Sequence, residues 1–171
     1  MKSDLLTPEL IKRVVSEFAL DLRSVHGPAH WMRVRNNGLL LAKQTGANTR
    51  VVELFALFHD SRRENDWTDP DHGPRAGDFA AYLFYEERAL KCSEEELQTL
   101  ITACDGHTHG GVHDDATIGT CWDADRLDLP RVGIIVDPHL LCTEIAQRPA
   151  IIHQTTEAAL AWRSKLGRDH W

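Results

Sequence analysis

Two adjacent residues, His59 and Asp60, follow the apolar run 51–58 and could supply two metal ligands from one rigid helix end. An imidazole nitrogen and a carboxylate oxygen form a mixed donor set that suits Mn, Fe, Co, Ni or Zn. A histidine beside an aspartate at a helix end can equally be a solvated terminus. The pair alone does not decide between these two interpretations, so the other candidate ligands along the chain matter.

A second histidine, His30, stands in the first turn of a helix that is expected to begin at Pro28, with His26 just before the proline. Arg33 follows three residues after His30 and would share a helix face with it. A histidine at such a place can be a metal ligand, a helix cap or a half-buried core residue, and the local pattern leaves all three open.

The polar segment 61–74 is too long for a plain connection, and long loops on compact domains are often functional. Near its end lies His72, beside the N-terminus of a helix that is expected to begin at Pro74. Further along the chain, His107 and His109 form a His-x-His pair flanked by glycines. Such a pair can chelate a metal or be a solvated turn, and the pattern leaves both open.

Asp125 lies within the helical pattern 118–129, close to its buried side. A buried carboxylate needs a cation or several hydrogen-bond donors, which makes Asp125 a further candidate ligand. Asp123 and Asp128 are expected instead to face water or to pair with an arginine.

The elements that must position these residues are helices, because apolar residues recur at helical spacing and no strand-type alternation of any length appears. Gly46 is expected to end the second helix, and the first is expected to continue to Leu22. Helix starts are indicated by Thr7-Pro8, Pro28, Asn48-Thr49, Pro74, the capping box at Ser93, Ile118, Asp137-Pro138 and Pro149. The sequence therefore predicts an all-α protein, with residues 1–171 in a single-domain bundle of about seven or eight helices.

Composition restricts the function classes. A chain of 171 residues suits one domain with a real core, and a net charge of -7 argues against a basic face for nucleic-acid polymers. The four cysteines are scattered without a C-x-x-C pair, and neither an apolar leader nor a stretch long enough to span a membrane is present. We therefore expect a cytoplasmic protein with no disulfide framework and no membrane partner.

The ordered set His30, His59-Asp60 and Asp125 resembles the ligand set of the HD-domain superfamily of metal-dependent phosphohydrolases. The segment His30-Trp31-Met32-Arg33-Val34 is similar to the family's H-x-x-R-V element, and Ala124-Asp125-Arg126-Leu127-Asp128 is similar to its A-D-R-L-D element. The resemblance covers about residues 25–131, the expected core, with packing helices before and after it. It implies an HD-like all-α fold and a first metal site made by His30, His59, Asp60 and Asp125.

Two more elements resemble the subgroup of that family with additional histidines and two metal ions. His72-Gly73-Pro74-Arg75-Ala76-Gly77 resembles its H-G-x-R-(G/A)-(A/G) element, with Ala76-Gly77 in the reverse of the commoner order. His107-Thr108-His109-Gly110 is similar to its H-T-x-G element, which makes His107 the ligand and His109 a neighbour. The resemblance implies that His72 and His107 complete a second site with Asp60 bridging. It implies one or two divalent transition-metal ions as cofactor, with Mg also possible.

Phosphoester hydrolysis needs a nucleophile at neutral pH and positive charge beside the phosphoryl oxygens. A metal-bound water has a pKa of about 7, and two ions can hold both the water and the phosphate. We expect Asp60 to orient that water, Glu64 to assist proton transfer, and His26 to touch the substrate near the mouth. Because a planar guanidinium fits phosphate well, arginines are expected to hold its oxygens, although each could instead form a surface ion pair. The candidates are Arg62, Arg63 and Arg75, followed by Arg33 and Arg126.

The resemblance thus implies a phosphohydrolase of a small phosphorylated metabolite, nucleotides foremost. One alternative is a di-iron oxygenase, because a few HD-domain relatives use the same six-ligand pattern to activate oxygen. Another is a non-catalytic regulatory or binding domain that keeps metal for stability. The loops 61–71 and 110–117 are expected to shape the substrate pocket, and the protein is expected to be a monomer or a homodimer.

Overall fold

The computed structural model describes residues 4–166, with the side chains of residues 163, 165 and 166 excepted. Within this range the regular structure is helical and contains no strand, so the predicted all-α class is confirmed. The α-helices are α1 Pro8–Val15, α2 Pro28–Thr45, α3 Thr49–Phe58, α4 His72–Tyr85, α5 Glu94–Gly106, α6 Ala116–Arg126 and α7 Pro149–Leu166. Two short 3₁₀ turns, Leu129–Val132 and Pro138–Leu140, lie between α6 and α7.

Several of the predicted helix ends are stabilised by local capping interactions. The Thr7 side chain accepts from the Leu10 N–H at 3.2 Å, ahead of proline at the first position of α1. Ser93 and Glu96 form a reciprocal capping box at the start of α5, as predicted. Gly46 ends α2 with φ of 72°, a left-handed conformation that glycine adopts at little cost. These caps satisfy backbone groups that a helix end otherwise leaves unpaired.

Helix α3 contributes most to the core, since seven of its residues are buried, including Leu54, Phe55 and Phe58. It packs against α2, α5 and α6, and α4 in turn packs against α5. His59 and Asp60 follow α3 directly and are only 0% and 3% exposed. The bundle therefore holds these two polar residues inside, where they need partners.

Some boundaries differ from the predictions. Helix α1 ends at Val15 rather than near Leu22, because Ser16 follows it and its hydroxyl donates to the Arg13 carbonyl at 2.7 Å. Helix α6 ends at Arg126 rather than Leu129, since Pro130 has no N–H to donate to the Arg126 carbonyl and the chain continues as a 3₁₀ turn. The helix expected from Asp137-Pro138 is only the three-residue turn Pro138–Leu140, and α4 begins at His72, two residues before Pro74.

The cysteines and the apolar character of the helices complete the description of the fold. The four cysteines are free thiols, and Cys104 and Cys121 are buried among apolar side chains, which raises their thiol pKa. Over residues 4–166, no helix combines the length and the apolar character that crossing a membrane requires.

Candidate metal centre

The first group of converging ligands comes from α2 and from the end of α3. The Nε2 atoms of His30 and His59 are 3.0 Å apart, and Oδ2 of Asp60 lies 3.5 Å and 3.7 Å from them. Asp125, on the last turn of α6, places Oδ1 at 3.3 Å from His30 Nε2 and 3.8 Å from His59 Nε2. Four residues that are distant in the sequence thus meet at one point, as the resemblance implied.

A second group uses the other oxygen of Asp60. Oδ1 of this carboxylate is 3.1 Å from Nε2 of His72 and 3.8 Å from Nε2 of His107, and these two nitrogens are 2.8 Å apart. His72 begins α4 and His107 directly follows α5. Asp60 therefore presents one oxygen to each histidine pair, which is the arrangement of a bridging carboxylate. His109, the other member of the His-x-His pair, is exposed.

Gly73 lets α4 and α5 approach closely enough for the second pair to form. A Cβ atom at this position would lie 2.2 Å from the carbonyl oxygen of Cys104 on α5 and 3.3 Å from Nδ1 of His107. No side chain fits in that space. The glycine next to His72 is thus required by packing rather than by its backbone angles.

The four histidines are held in one tautomer by acceptors at their other ring nitrogen. The Nδ1 atoms of His59 and His107 contact the carbonyl oxygens of Phe55 at 3.1 Å and Cys104 at 2.7 Å. Nδ1 of His72 contacts the carbonyl oxygen of Asp69, and Nδ1 of His30 contacts a carboxylate oxygen of Asp128 at 2.7 Å. Because carbonyl and carboxylate oxygens accept, a proton stands on Nδ1 of each ring, and Nε2 is the nitrogen left to face its partner histidine. This is the usual orientation of histidines that bind metals.

The donor set fits a divalent metal ion. Two imidazole Nε2 atoms that face each other at 2.8–3.0 Å require either a proton between them or a metal ion beside them. Two nitrogens each about 2.1 Å from one ion come about 3.0 Å apart at a right angle. Buried groups of imidazole and carboxylate ligands formed by His30, His59 and Asp60, and by Asp60, His72 and His107, could therefore each hold an ion.

The electrostatics of the first group also favour a positive charge. Burial lowers the pKa of His59 to about 3, so this imidazole is neutral. Burial and Arg131 oppose charge on His30, but hydrogen bonds with Asp125, Asp128 and Asp60 outweigh them and raise its pKa to about 9. Burial opposes the charge of Asp60 as well, yet the surrounding histidines hold its pKa well below the usual range. The group is thus built to contain one cation, a proton or a metal ion.

Asp128 contacts a candidate ligand, although the sequence pattern assigned it no role at the site. It is 1% exposed, and its two oxygens accept from Nε and Nη2 of Arg33 at 2.7 Å and 2.9 Å, while Oδ2 also contacts His30. The expected pairing with an arginine is present, but exposure to water is not. The signal was its place as the last residue of the A-D-R-L-D element, three positions after a ligand.

The prediction for Asp123 is wrong, because this residue neither faces water nor pairs with an arginine. Its side chain is completely buried and accepts from the N–H groups of Cys142 at 2.6 Å and Thr143 at 2.8 Å. The Thr143 hydroxyl donates to it at 2.7 Å. Asp123 therefore anchors the chain after the second 3₁₀ turn to α6, away from the two ligand groups.

A cavity of about 350 Å³ opens onto the ligands and is lined by Asp60, His72, His107 and Asp125. Three of the predicted substrate-binding residues, His26, Arg63 and Arg126, also line it. Nδ1 of His26 is 2.7 Å from Oδ2 of Asp60, and Nη1 of Arg63 is 3.5 Å from Oδ1 of the same residue. The structure therefore brings these three to the ligands.

Four other candidates do not line this cavity. Arg33 is turned to Asp128, as described above, and Arg62 donates to a carboxylate oxygen of Glu17 at 2.7 Å. Arg75 binds Asp69, with its Nη2 at 2.6 Å and 2.7 Å from the two oxygens. The side chain of Glu64 is 70% exposed and lies 3.8 Å from Nε of Arg75. Each of these three arginines is therefore in an ion pair with an acidic side chain, which was the alternative to binding phosphate.

Arg131 lines the cavity although the sequence analysis gave it no role. It is 4% exposed, and its guanidinium donates to the carbonyl oxygens of Val25 at 2.8 Å and Asp128 at 3.2 Å. Its position three residues after Asp128 was the available signal, because it places the guanidinium beside the same carboxylate, at 3.7 Å.

Comparison with solved structures finds the same fold in the crystal structure of a predicted HD superfamily hydrolase from an uncultured Thermotogales bacterium. The TM-score is 0.67 over 95% of this chain and 92% of that one, with 20% sequence identity. No protein-family model matches the sequence, and no curated protein matches it. A likeness at this identity establishes the fold, so the chain has the fold of an HD superfamily protein. The converging histidines and aspartates agree with the resemblance on which that fold was predicted.

Proposed function

We propose that the protein is a metal-dependent phosphohydrolase that cleaves a phosphoester of a small metabolite, with nucleotide-type substrates favoured. The observation that carries the proposal is the position of Asp60, which lines the cavity and whose two oxygens face two separate histidine pairs. The similarity in fold to a predicted HD superfamily hydrolase supports hydrolysis as the reaction class. A volume of about 350 Å³ is near the lower end for small-molecule sites, which argues for a small substrate.

The proposed cofactor is one or two divalent ions from the series Mn, Fe, Co, Ni and Zn, because imidazole ligands suit these metals better than Mg. His30, His59, Asp60 and Asp125 would hold the first ion, and Asp60, His72 and His107 the second. A bound metal ion supplies a water of lowered pKa as the nucleophile and offsets the charge of the phosphoryl oxygens.

The residues of the chain would bind the substrate and move protons. Arg63 is the arginine in the cavity nearest to Asp60, so we assign it the binding of a non-bridging phosphate oxygen. If His26 donates its Nδ1–H to Asp60, its Nε2 is left to accept or return a proton in the cavity. Asp60 would thus orient both the nucleophilic water and His26. Glu64, Arg62, Arg75 and Arg33 lie outside the cavity, and the proposal uses none of them.

The test is phosphate release from a panel of phosphoesters by the full chain loaded separately with Mn²⁺, Co²⁺, Zn²⁺ and Fe²⁺. We expect release that requires metal, proceeds without oxygen and is lost in Asp60→Asn. No release from any substrate, together with oxygen uptake and a mixed-valence signal in the iron-loaded protein, would overturn the proposal in favour of the di-iron oxygenase. Tight metal binding with neither activity would favour the non-catalytic alternative.

A matched pair of variants controls this experiment. Arg63→Gln removes the guanidinium in the cavity, and Arg62→Gln removes the neighbouring one that binds Glu17 outside it. We expect the first to raise KM for the phosphoester and the second to leave it unchanged. Equal effects of the two substitutions would contradict the assignment of Arg63.

A further inference from the structure

One wall of the cavity is mainly apolar, with Arg131 and Asp137 as its charged residues. Its apolar side chains come from the segment 129–140, after the last metal ligand, and are Leu129, Ile134, Ile135, Val136 and Leu140. Three of these apolar side chains are strongly exposed, with Ile134 at 51%, Ile135 at 91% and Leu140 at 53%. Clustered exposed apolar residues beside a polar site indicate a surface that a ligand covers.

The wall is fixed relative to the metal ligands by Arg126, the residue directly after Asp125. The Arg126 guanidinium donates to the carbonyl oxygen of Leu140, at the end of the wall, and to that of Gly110 at 2.6 Å. Asp123, two residues before Asp125, holds Cys142 and Thr143 just beyond the wall. A molecule whose anionic group is bound by the metals therefore has its remaining part against this segment.

The apolar character of the wall restricts the chemistry of the organic part of the ligand. Aliphatic side chains form no hydrogen bond to a hydroxyl group, so a polyhydroxylated chain would lose its water without compensation there. A flat ring removes apolar area from water on both partners. Asp137, the acidic residue of the wall, already accepts from the N–H of His139 at 2.9 Å, and its charge disfavours a second anionic group.

We propose that the segment 129–140 is a specificity subsite that binds an aromatic ring in the organic part of the substrate, with Ile135 its most accessible contact. The inference rests on the proposed function for the position of the phosphate, and it adds the class of the leaving group. A phosphoester whose organic part carries an aromatic ring, as a nucleotide carries its base, is preferred over a phosphorylated sugar or glycerol without a ring of this kind.

The test measures binding, which does not depend on turnover. The affinities of phenylphosphonate and methylphosphonate for the Mn-loaded full chain are compared by calorimetry, because the two differ only in the ring. We expect phenylphosphonate to bind about tenfold more tightly, the gain that burial of a small apolar face provides. Ile135→Asn should reduce this ratio to about two and leave the methylphosphonate affinity unchanged.

Two further variants complete the design. Leu22→Asn changes an apolar side chain that is 52% exposed and does not line the cavity, so the ratio should stay as in the wild type. Ile135→Leu preserves the apolar contact and should keep the preference. Because Ile135 is 91% exposed, its substitution does not endanger folding.

Equal affinities of the wild-type protein for the two phosphonates, or a ratio insensitive to Ile135→Asn, would overturn the inference. A wild-type dimer that Ile135→Asn dissociates, with equal phosphonate affinities, would show instead that the wall is an interface between copies. A ring preference that depends on Ile135, in a protein that hydrolyses no phosphoester, would sustain the subsite and reject the proposed hydrolysis.

Discussion

The carboxylate oxygen Oδ2 of Asp128 lies 2.7 Å from Nδ1 of His30, and both oxygens of the same side chain accept from Arg33. All three residues are largely buried, so no solvent competes for these hydrogen bonds. The contact determines which ring nitrogen of His30 carries the proton and points the other toward His59 and Asp60. Asp128 thus fixes the orientation of His30, one of the proposed metal ligands.

Substituting Asp128 by asparagine should weaken metal binding at the first site. The amide keeps the shape of the carboxylate but loses its charge and one of its two acceptor oxygens. It therefore cannot accept from Nδ1 of His30 and from both nitrogens of Arg33 as the carboxylate does. Loss of such a partner typically lowers metal affinity about 10–100-fold. Titration of Mn²⁺ or Zn²⁺ against a competing chelator measures the change.

Asp123→Asn is the matched control, because it removes a buried carboxylate that touches no metal ligand. Asp123 accepts from three donors on residues 142 and 143, and their partial loss should cost about 1–3 kcal/mol of unfolding free energy. Its metal affinity should equal that of the wild type once folded. Should both variants lose metal equally, general destabilisation would explain the effect and the positioning role of Asp128 would fail.

The proposed metal ligands could be singled out from the order and separation of their motifs, which resemble those of a family, whereas the local pattern around each residue left its role open. His30 stands in the first turn of a helix begun by proline, and His59 and Asp60 end an apolar helix. Asp125 could be recognised as a carboxylate near the buried side of a helical pattern. The same helical pattern did not predict the burial of Asp123, whose partners come from residues 142 and 143.

The partners of the arginines could not be predicted, because they come from distant parts of the chain. Arg62 binds Glu17, which is 45 positions away, and Arg33 binds Asp128, which is 95 positions away. Only the packed fold brings these charges together. An arginine near a ligand in the sequence therefore says little about whether its guanidinium faces the substrate.

The residues that line the cavity could not be predicted either. The loops 61–71 and 110–117, which were expected to shape it, contribute Arg63 and Gly110 alone. Its apolar wall comes instead from the segment 129–140, whose place depends on the hydrogen bond from Arg126 to the carbonyl of Leu140. No local pattern in the sequence encodes that contact.

His107 and His109 should differ sharply in their effect on metal content. His107→Ala removes a buried nitrogen 2.8 Å from that of His72, whereas His109 is exposed. We expect the first variant to bind one ion fewer per chain than the wild type and the second to bind the same number. Metal analysis after dialysis against limiting Mn²⁺ gives the stoichiometry. A lower content in His109→Ala, with a normal content in His107→Ala, would reverse the assignment.

Removing the metal should destabilise the fold, because the ligands converge only in the native state. An ion present at 100 times its dissociation constant stabilises the native state by about 2.7 kcal/mol per site. Urea unfolding with Mn²⁺ and with EDTA measures this difference, and excess Mn²⁺ added back after EDTA should restore the midpoint. Identical midpoints under the two conditions would mean that these residues do not bind metal in the folded protein.

The close contact of α4 with α5 makes a last prediction, on Gly73. Alanine is normally favoured over glycine within a helix by about 1 kcal/mol. Here the added Cβ would lie 2.2 Å from the backbone oxygen of Cys104, so the helices must separate at a net cost of about 1–3 kcal/mol. Since this movement also separates His72 from His107, Gly73→Ala should lose affinity at the second metal site.

The control is Gly111→Ala. A Cβ at this position meets nothing within 4 Å, so the substitution should change the free energy of unfolding by less than about 0.5 kcal/mol. Urea unfolding and metal titration of both variants decide the matter, and a Gly73→Ala protein as stable as the wild type would show that α4 does not need this approach.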